Sequence, residues 1–511
     1  MVARRQLLKM MTALGGSALA PVQMAARGAE KEKESTSVMV GAGAPDKDKV
    51  GLVTSSVAEW ATKLRYEDIP PEVVQYAKLL LLDGIGCTIF GSTKEAATLL
   101  VGYADALGES KPEATIWGRR KKVPVRIAGM INGAAAHSTN VGDTHRATIV
   151  HTNYLMPQAA IAIAEREKKN GRDVITAIVA GNEVCTRAAL ATHLGLEGGY
   201  FNPEGRGWHA TGSMGAIGTA VTTGKLLGLE TGKMVQALVL AGTQPAGIYR
   251  PAGPYMGKHW FAGKAVANGI ESAYLARQGF VAGYRLYEDG LCFGSGIFSP
   301  VYELEAAARG LGETWETRAV DMAIYPAKKT YYTNVDALLQ ILGAERVKFA
   351  DIAKVRVISA FATSYGFAKF RKPGNPTEAF NSLQYVIAAA AHDGEYGFAQ
   401  LAANKIEDPE ILDFAEHNVE VAGDAELEKA FHAGKWPGAV EVLTKTGKRF
   451  YQRFDYHIGQ VENPISVAQL EQKFRRMTTM LGKGRSSRII EMVNDIEHTG
   501  DMSRLSQQFS A

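Results

Sequence analysis

The sequence predicts a mainly α fold, a large all-helical domain into which a smaller α+β domain is inserted late in the chain. Two observations carry this. Across residues 51–318 apolar side chains return at the spacing of core helices, and the breaks fall at Pro-Pro, Gly or Asn-Gly. From about Val320 the texture changes, and residues 352–359 read IAKVRVIS, the two-residue period of a half-buried strand.

Taken in order, residues 1–27 place Arg4-Arg5 before a mildly apolar, Gly/Ala-containing run, with Ala18 and Ala20 as small residues for cleavage. That is the shape of a twin-arginine signal peptide, so export to the periplasm is expected. Residues 28–50 mix charge, Ser/Thr and Gly with few large apolar groups and read as a linker. In the helical domain, residues 51–318, Pro70-Pro71 open a helix where proline costs least, and Val74, Ala77 and Leu81 supply an apolar face that runs to Cys87 and ends at Gly91. Further helices are expected over residues 93–107, from 125, over 156–169 and over 173–190, with a short extended piece at 114–117.

Residues 205–229 carry Gly207, Gly212, Gly215 and Gly218. A dinucleotide loop would need a preceding strand and an acidic partner downstream, and neither is present. The glycines are therefore read as letting helices approach closely, with His209 at a helix start. The α+β domain, residues 319–459, is expected to hold a short strand at 322–327, helices at 334–342 and 380–392, and a hairpin turning at Thr446-Gly447. Asn463-Pro464 marks its end, and within residues 460–511 helices over 467–481 and 487–498 are expected to return to the first domain.

The formal charge of +4 is carried by Arg4, Arg5, Lys9 and Arg27, so the rest of the chain is neutral and nothing points to nucleic acid. Three widely spaced cysteines, Cys87, Cys185 and Cys292, suit neither a disulfide framework nor a zinc or iron–sulfur cage and read as buried thiols. Beyond the leader no apolar run reads as long enough to cross a bilayer, so no membrane contact is expected.

Titratable groups concentrate in residues 132–151, NGAAAHSTNVGDTHRATIVH, which place three histidines, an aspartate and an arginine between two buried helices. This stretch is the expected active-site wall. His137, His145 and His151 are eight and six apart, which gives no shared helical face, so no metal is expected. His137, alone on an Ala-rich helix, reads as a hydrogen-bonded core residue.

Several segments, none specific alone, together resemble the 2-methylcitrate dehydratase family (MmgE/PrpD), which includes cis-aconitate decarboxylases and an iminodisuccinate epimerase. They are Asn132-Gly133-Ala134-Ala135-Ala136-His137, Asp143-Thr144, His151, Gly207-Trp208-His209-Ala210, residues 258–269, Asn381-Ser382-Leu383-Gln384-Tyr385, and Asn463-Pro464 before Lys473-Phe474. The resemblance implies a helical domain interrupted by an α+β lid, an active site in the cleft between them, a homodimer, a small carboxylic acid as substrate, and chemistry without a cofactor.

Carried over by position, the resemblance casts His151 or His209 as proton-transfer groups and Lys258 as a carboxylate anchor. Tyr385 becomes a lid donor or acid, and Asp143 the group orienting an imidazole. Asn140, Thr144, His145 and Arg146 fall where substrate would be held. Two departures stand out: Asn140 replaces an aspartate usual in the dehydratases and decarboxylases, and Ala323 stands where many members have a lysine. A histidine expected further on is replaced within Thr330-Tyr331-Tyr332-Thr333. The expected function is a lyase that eliminates, most simply as water, a group beside a carboxylate. An epimerase or isomerase using the same proton abstraction, and a non-catalytic carboxylate binder, are the alternatives.

Overall fold

The computed structural model describes residues 52–192, 207–248, 256–288, 302–360 and 371–510. The expected leader and linker over residues 1–50, and Cys292, lie outside them.

The first hydrophobic core is built by α1 (Leu52–Lys63), α2 (Pro71–Gly91), α3 (Glu95–Ala106), α4 (Val125–His137), α5 (Met156–Glu167), α6 (Gly171–Ala191), α7 (Ala210–Leu226), α8 (Thr231–Gly242) and α9 (Gly257–Arg277). Proline opens α2 in the first turn, where a missing N–H breaks no helical bond. Asn170 and Asp173 close a capping box on α6. At the centre α7 packs against α6 and α9, and α9 against α4. A Cβ on Gly218 would lie 2.4 Å from Met156 Cε and 2.6 Å from Cys185 Cβ, so close helix approach is what this glycine provides.

Two expectations need correction. The first region is not all-helical: it contains an antiparallel ribbon of β1 (Ala114–Ile116) and β2 (Lys121–Val123), and β3 (Asp143–His145), which pairs antiparallel with β4 (Val320–Met322). Among the described residues α2 and α6 are also long and apolar enough to cross a membrane, contrary to expectation, but both are mostly buried inside the protein. A helix apolar all round is what a core helix wrapped by others requires.

The second core begins beyond β4. It comprises α10 (Tyr332–Glu345), β5 (Ile352–Ser359), α11 (Pro376–Phe380), α12 (Leu383–Asp393), α13 (Pro409–His417), β6 (Val419–Gly423), α14 (Ala425–His432), β7 (Gly438–Thr444) and β8 (Arg449–Phe454). The sheet order is β6-β5-β7-β8, parallel between β5 and β6 and antiparallel elsewhere. In β5 the predicted alternation is present from Val355 onward, with Val355, Val357 and Ser359 buried, after an irregularity between Ile352 and Lys354. The strand expected at 322–327 lies at Val320–Met322 instead, because Pro326 has no N–H to give a ladder. The helix expected at 380–392 is split, since Ser382 caps α12 by accepting from the Tyr385 N–H. Finally α15 (Val467–Met477) and α16 (Lys483–Asn494) place Leu470, Phe474, Ile489 and Val493 in the first core.

Candidate active site

A cavity of about 200 Å³ lies where the expected wall, α7 and α9 meet the turn that follows β4. Its first wall starts at the C-terminus of α4 with His137, 2% exposed. The chain then turns through Asn140 at φ 54°, a left-handed conformation that asparagine tolerates well. Lys258, in the first turn of α9, donates to Asn140 Oδ1 at 2.7 Å.

Asp143 folds the next ten residues. Its Oδ2 accepts from Thr152 N at 2.7 Å, Thr152 Oγ1 at 2.6 Å and Asn153 N at 3.0 Å. Its main-chain carbonyl accepts from His151 Nδ1–H at 2.5 Å. It is therefore the Asp143 carbonyl, and not the carboxylate named in the expectation, that touches an imidazole. Thr144 Oγ1 lies 3.2 Å from the same His151 nitrogen. Ile149 lines the cavity at φ 58°, an unusual conformation for a β-branched residue and a local strain two residues before His151. His209 caps α7, its N–H held by Gly247 O at 2.7 Å.

Ring centroids of His137 lie 5.6 Å from His151 and 5.5 Å from His209, and those of His151 and His209 are 6.1 Å apart. Burial pushes all three imidazoles toward the neutral form, His151 down to about 4, with the Lys258 ammonium adding to the effect. Burial likewise lowers Lys258 to about 8, helped by Lys328, and raises Asp143 to about 7 against its hydrogen bonds from Thr152 and Asn153.

The second wall comes from Ala323, Ala327, Lys328, Lys329 and Thr330, closed by Tyr332, Phe380 and Trp436. Lys329 pairs with buried Asp321 at 2.7 Å, and burial lowers both it and Lys328 from the usual lysine range. Neither Lys328 nor Lys258 has a carboxylate partner among the described residues. The walls are joined by Lys473 on α15, whose Nζ donates to Asp83 at 2.5 Å and to the carbonyls of Val141 and Ala323, each at 2.6 Å. A buried ammonium with three acceptors fixes the chain beside both rows of site residues.

Of the expected residues, the cavity gathers Asn140, Asp143, Thr144, His151, His209 and Lys258. Three are placed elsewhere. His145 is bound between Thr148 Oγ1 at 2.8 Å and Glu316 Oε2 at 2.9 Å, because β3 turns successive side chains to alternate faces. Arg146 already has its carboxylates, Asp321 and Glu462, and so pins the β3–β4 ribbon. Tyr385 is fully buried in the second core and donates to Gln400 O at 2.5 Å, while Phe380 of the preceding helix reaches the cavity instead.

His137 is the hydrogen-bonded core residue expected, its Nδ1 3.1 Å from His259 Nδ1, and it also lines the cavity. No spacing rule could place it there, since two of its imidazole neighbours, His209 and His259, stand far along the chain. Lys328, adjacent to the turn where the resemblance expected other cations, was legible only as an adjacent charge.

Residues 55–303 match the MmgE/PrpD N-terminal domain and residues 325–498 the MmgE/PrpD C-terminal domain. The chain belongs to the MmgE/PrpD family. Similar members of the family include the cis-aconitate decarboxylase of Aspergillus terreus, 26% identical over 474 residues that cover 89% of this chain and 95% of that protein. The cis-aconitate decarboxylases of Homo sapiens, 27% identical over 470 residues, and Mus musculus, 25% over 471, each cover 89% of this chain and 93% of the relative. Within the MmgE/PrpD frame, Asn140 and Ala323 occupy the cavity with neutral side chains.

Proposed function

We propose that this chain is a lyase that works without a cofactor, removing a group beside a carboxylate of a small organic acid with at least two carboxylates. Decarboxylation is the leading reaction, in keeping with the activity that names its relatives. The observation that carries the reading is the meeting of His151, His209 and Lys258 in one buried cavity. Lys258 and Lys328, two ammonium groups that raise each other's energy, supply what a pair of substrate carboxylates needs. An arriving anion also restores the proton affinity that burial takes from the imidazoles. His151 Nε2 then carries the proton to or from the carbon next to the departing group, with His209 beside it. In decarboxylation the carbon–carbon bond breaks, carbon dioxide leaves, and the electron pair left on carbon takes that proton.

The second core serves in this reading as a lid that brings Lys328 and Lys329 over the histidines. Export to the periplasm, supported by the Arg4-Arg5 leader pattern, and a homodimer, supported by the family resemblance, belong to the same proposal. The test is a panel of di- and tricarboxylic acids, saturated, unsaturated and hydroxylated, incubated with purified protein in deuterated water and read by mass spectrometry. Loss of carbon dioxide with one deuterium gained supports decarboxylation, loss of water supports dehydration, and exchange without loss supports an isomerase. Turnover that survives unchanged in His151→Ala overturns the reading.

A further inference from the structure

The expectation that no metal binds rested on His137, His145 and His151, and the structure replaces the middle member. His137, His151 and His209 each bring a ring nitrogen to one place, all within 4.8 Å of one another. The tautomer of His151 can be read from its hydrogen bond. The Asp143 carbonyl only accepts, so His151 Nδ1 carries its hydrogen and Nε2 keeps the lone pair. His137 Nδ1 faces His259 Nδ1 at 3.1 Å, and His137 Nε2 is buried without a hydrogen-bond partner. An imidazole whose Nδ1–H is held and whose Nε2 keeps its lone pair, as in His151, is how metal-binding histidines are prepared.

We propose that His137, His151 and His209 form a binding site for a first-row divalent cation of the zinc class, with a fourth position open toward the cavity. Imidazole ligands suit zinc, cobalt, nickel and copper, and a three-ligand site leaves room for water or a substrate carboxylate. At metal–nitrogen distances of ~2.0–2.1 Å the ligand nitrogens of a tetrahedral site stand ~3.4 Å apart, so the rings close by up to about 1.4 Å through side-chain rotation. His151 is partly exposed to the cavity and gives the ion its entry. Lys258 works against the cation, and its Asn140 partner is an uncharged amide that does not offset the charge. On the lyase reading above, the metal occupies the lone pairs that move the proton, and it therefore inhibits.

The experiment titrates cobalt(II) into the purified, chelator-stripped protein and follows the visible bands of tetrahedral cobalt, with no substrate present. The expected result is one equivalent bound with Kd tighter than about 10 μM. His137→Ala and His209→Gln should weaken binding at least about 100-fold, and Lys258→Met should tighten it about tenfold, while His145→Ala should change nothing. Circular dichroism of each variant confirms that it folds. No band, or a band indifferent to His137→Ala and His209→Gln, overturns the proposal. Zinc added to turning-over enzyme should stop it, and chelator should restore it; turnover unaffected by saturating zinc overturns the inhibitory role. The two readings fail separately: a band without any turnover removes the lyase, and turnover without a band removes the metal.

Discussion

His137, His151 and His209 line the cavity as uncharged rings, whereas residues 328–329 line it with ammonium groups. The imidazole wall is drawn from α4, the loop after β3 and the start of α7, and main-chain hydrogen bonds fix it: His151 gives Nδ1–H to the Asp143 carbonyl, and the His209 N–H is held by Gly247. The lysine wall comes from one short turn after β4, and of its two ammonium groups Lys329 pairs with Asp321. On the proposed lyase reading the difference separates two tasks. Moving a proton needs rings held in one orientation and close to neutral, while holding an anion needs positive charge left without an internal partner. Substitutions on the two walls should accordingly fail in different ways.

The largest effect is expected from the imidazole wall. His209→Ala should lower kcat by about 10²–10⁴-fold and move KM much less, which steady-state kinetics on the substrate found by the acid panel will show. A KM effect with kcat preserved would reassign His209 to binding. Lys473→Ala leaves Asp83 as a buried carboxylate without its cation and removes the donor that ties Val141 and Ala323. Urea denaturation should report a loss of about 3–5 kcal/mol. A change below about 1 kcal/mol would mean that the walls are held together elsewhere.

Substitutions in the lysines come next. Lys328→Met should raise KM about 10- to 100-fold with a smaller change in kcat, the size of one charge-assisted contact. Lys258, with its pKa lowered to about 8, loses its charge as pH rises through that value, so KM should climb above pH 8. In Lys258→Met the climb should be absent and KM high at every pH. The smallest effect belongs to Tyr385→Phe. It removes one buried hydrogen bond to Gln400 and should cost about 1 kcal/mol of stability while leaving kcat/KM within about twofold. A large loss of kcat would return Tyr385 to the active site.

Helices were legible because their signals are local. The proline opening α2, the Asn-Gly before α6 and the alternation of β5 each act within a few residues. What the sequence did not show comes from geometry that a local pattern does not carry. His145 and Arg146 sit beside Thr144 in the sequence, but pairing of β3 with β4 sends them to Glu316, Asp321 and Glu462. His137 looked like a core residue because its neighbours on α4 are alanines; its partners, His209 and His259, arrive from α7 and α9. Tyr385 was placed by a motif whose apolar helix, once folded, turned it into the second core. What sequence supplied for the site was a set of residue types in order, and packing chose among them.

The central claim is that His151 and His209 act together on one proton. Comparing kcat/KM for His151→Ala, His209→Ala and the double variant tests this directly, because residues that act as a unit lose their effect together. The double variant should be no more than about tenfold slower than the slower single variant. Losses that multiply in full would contradict the claim and leave two histidines that share a cavity without sharing a step.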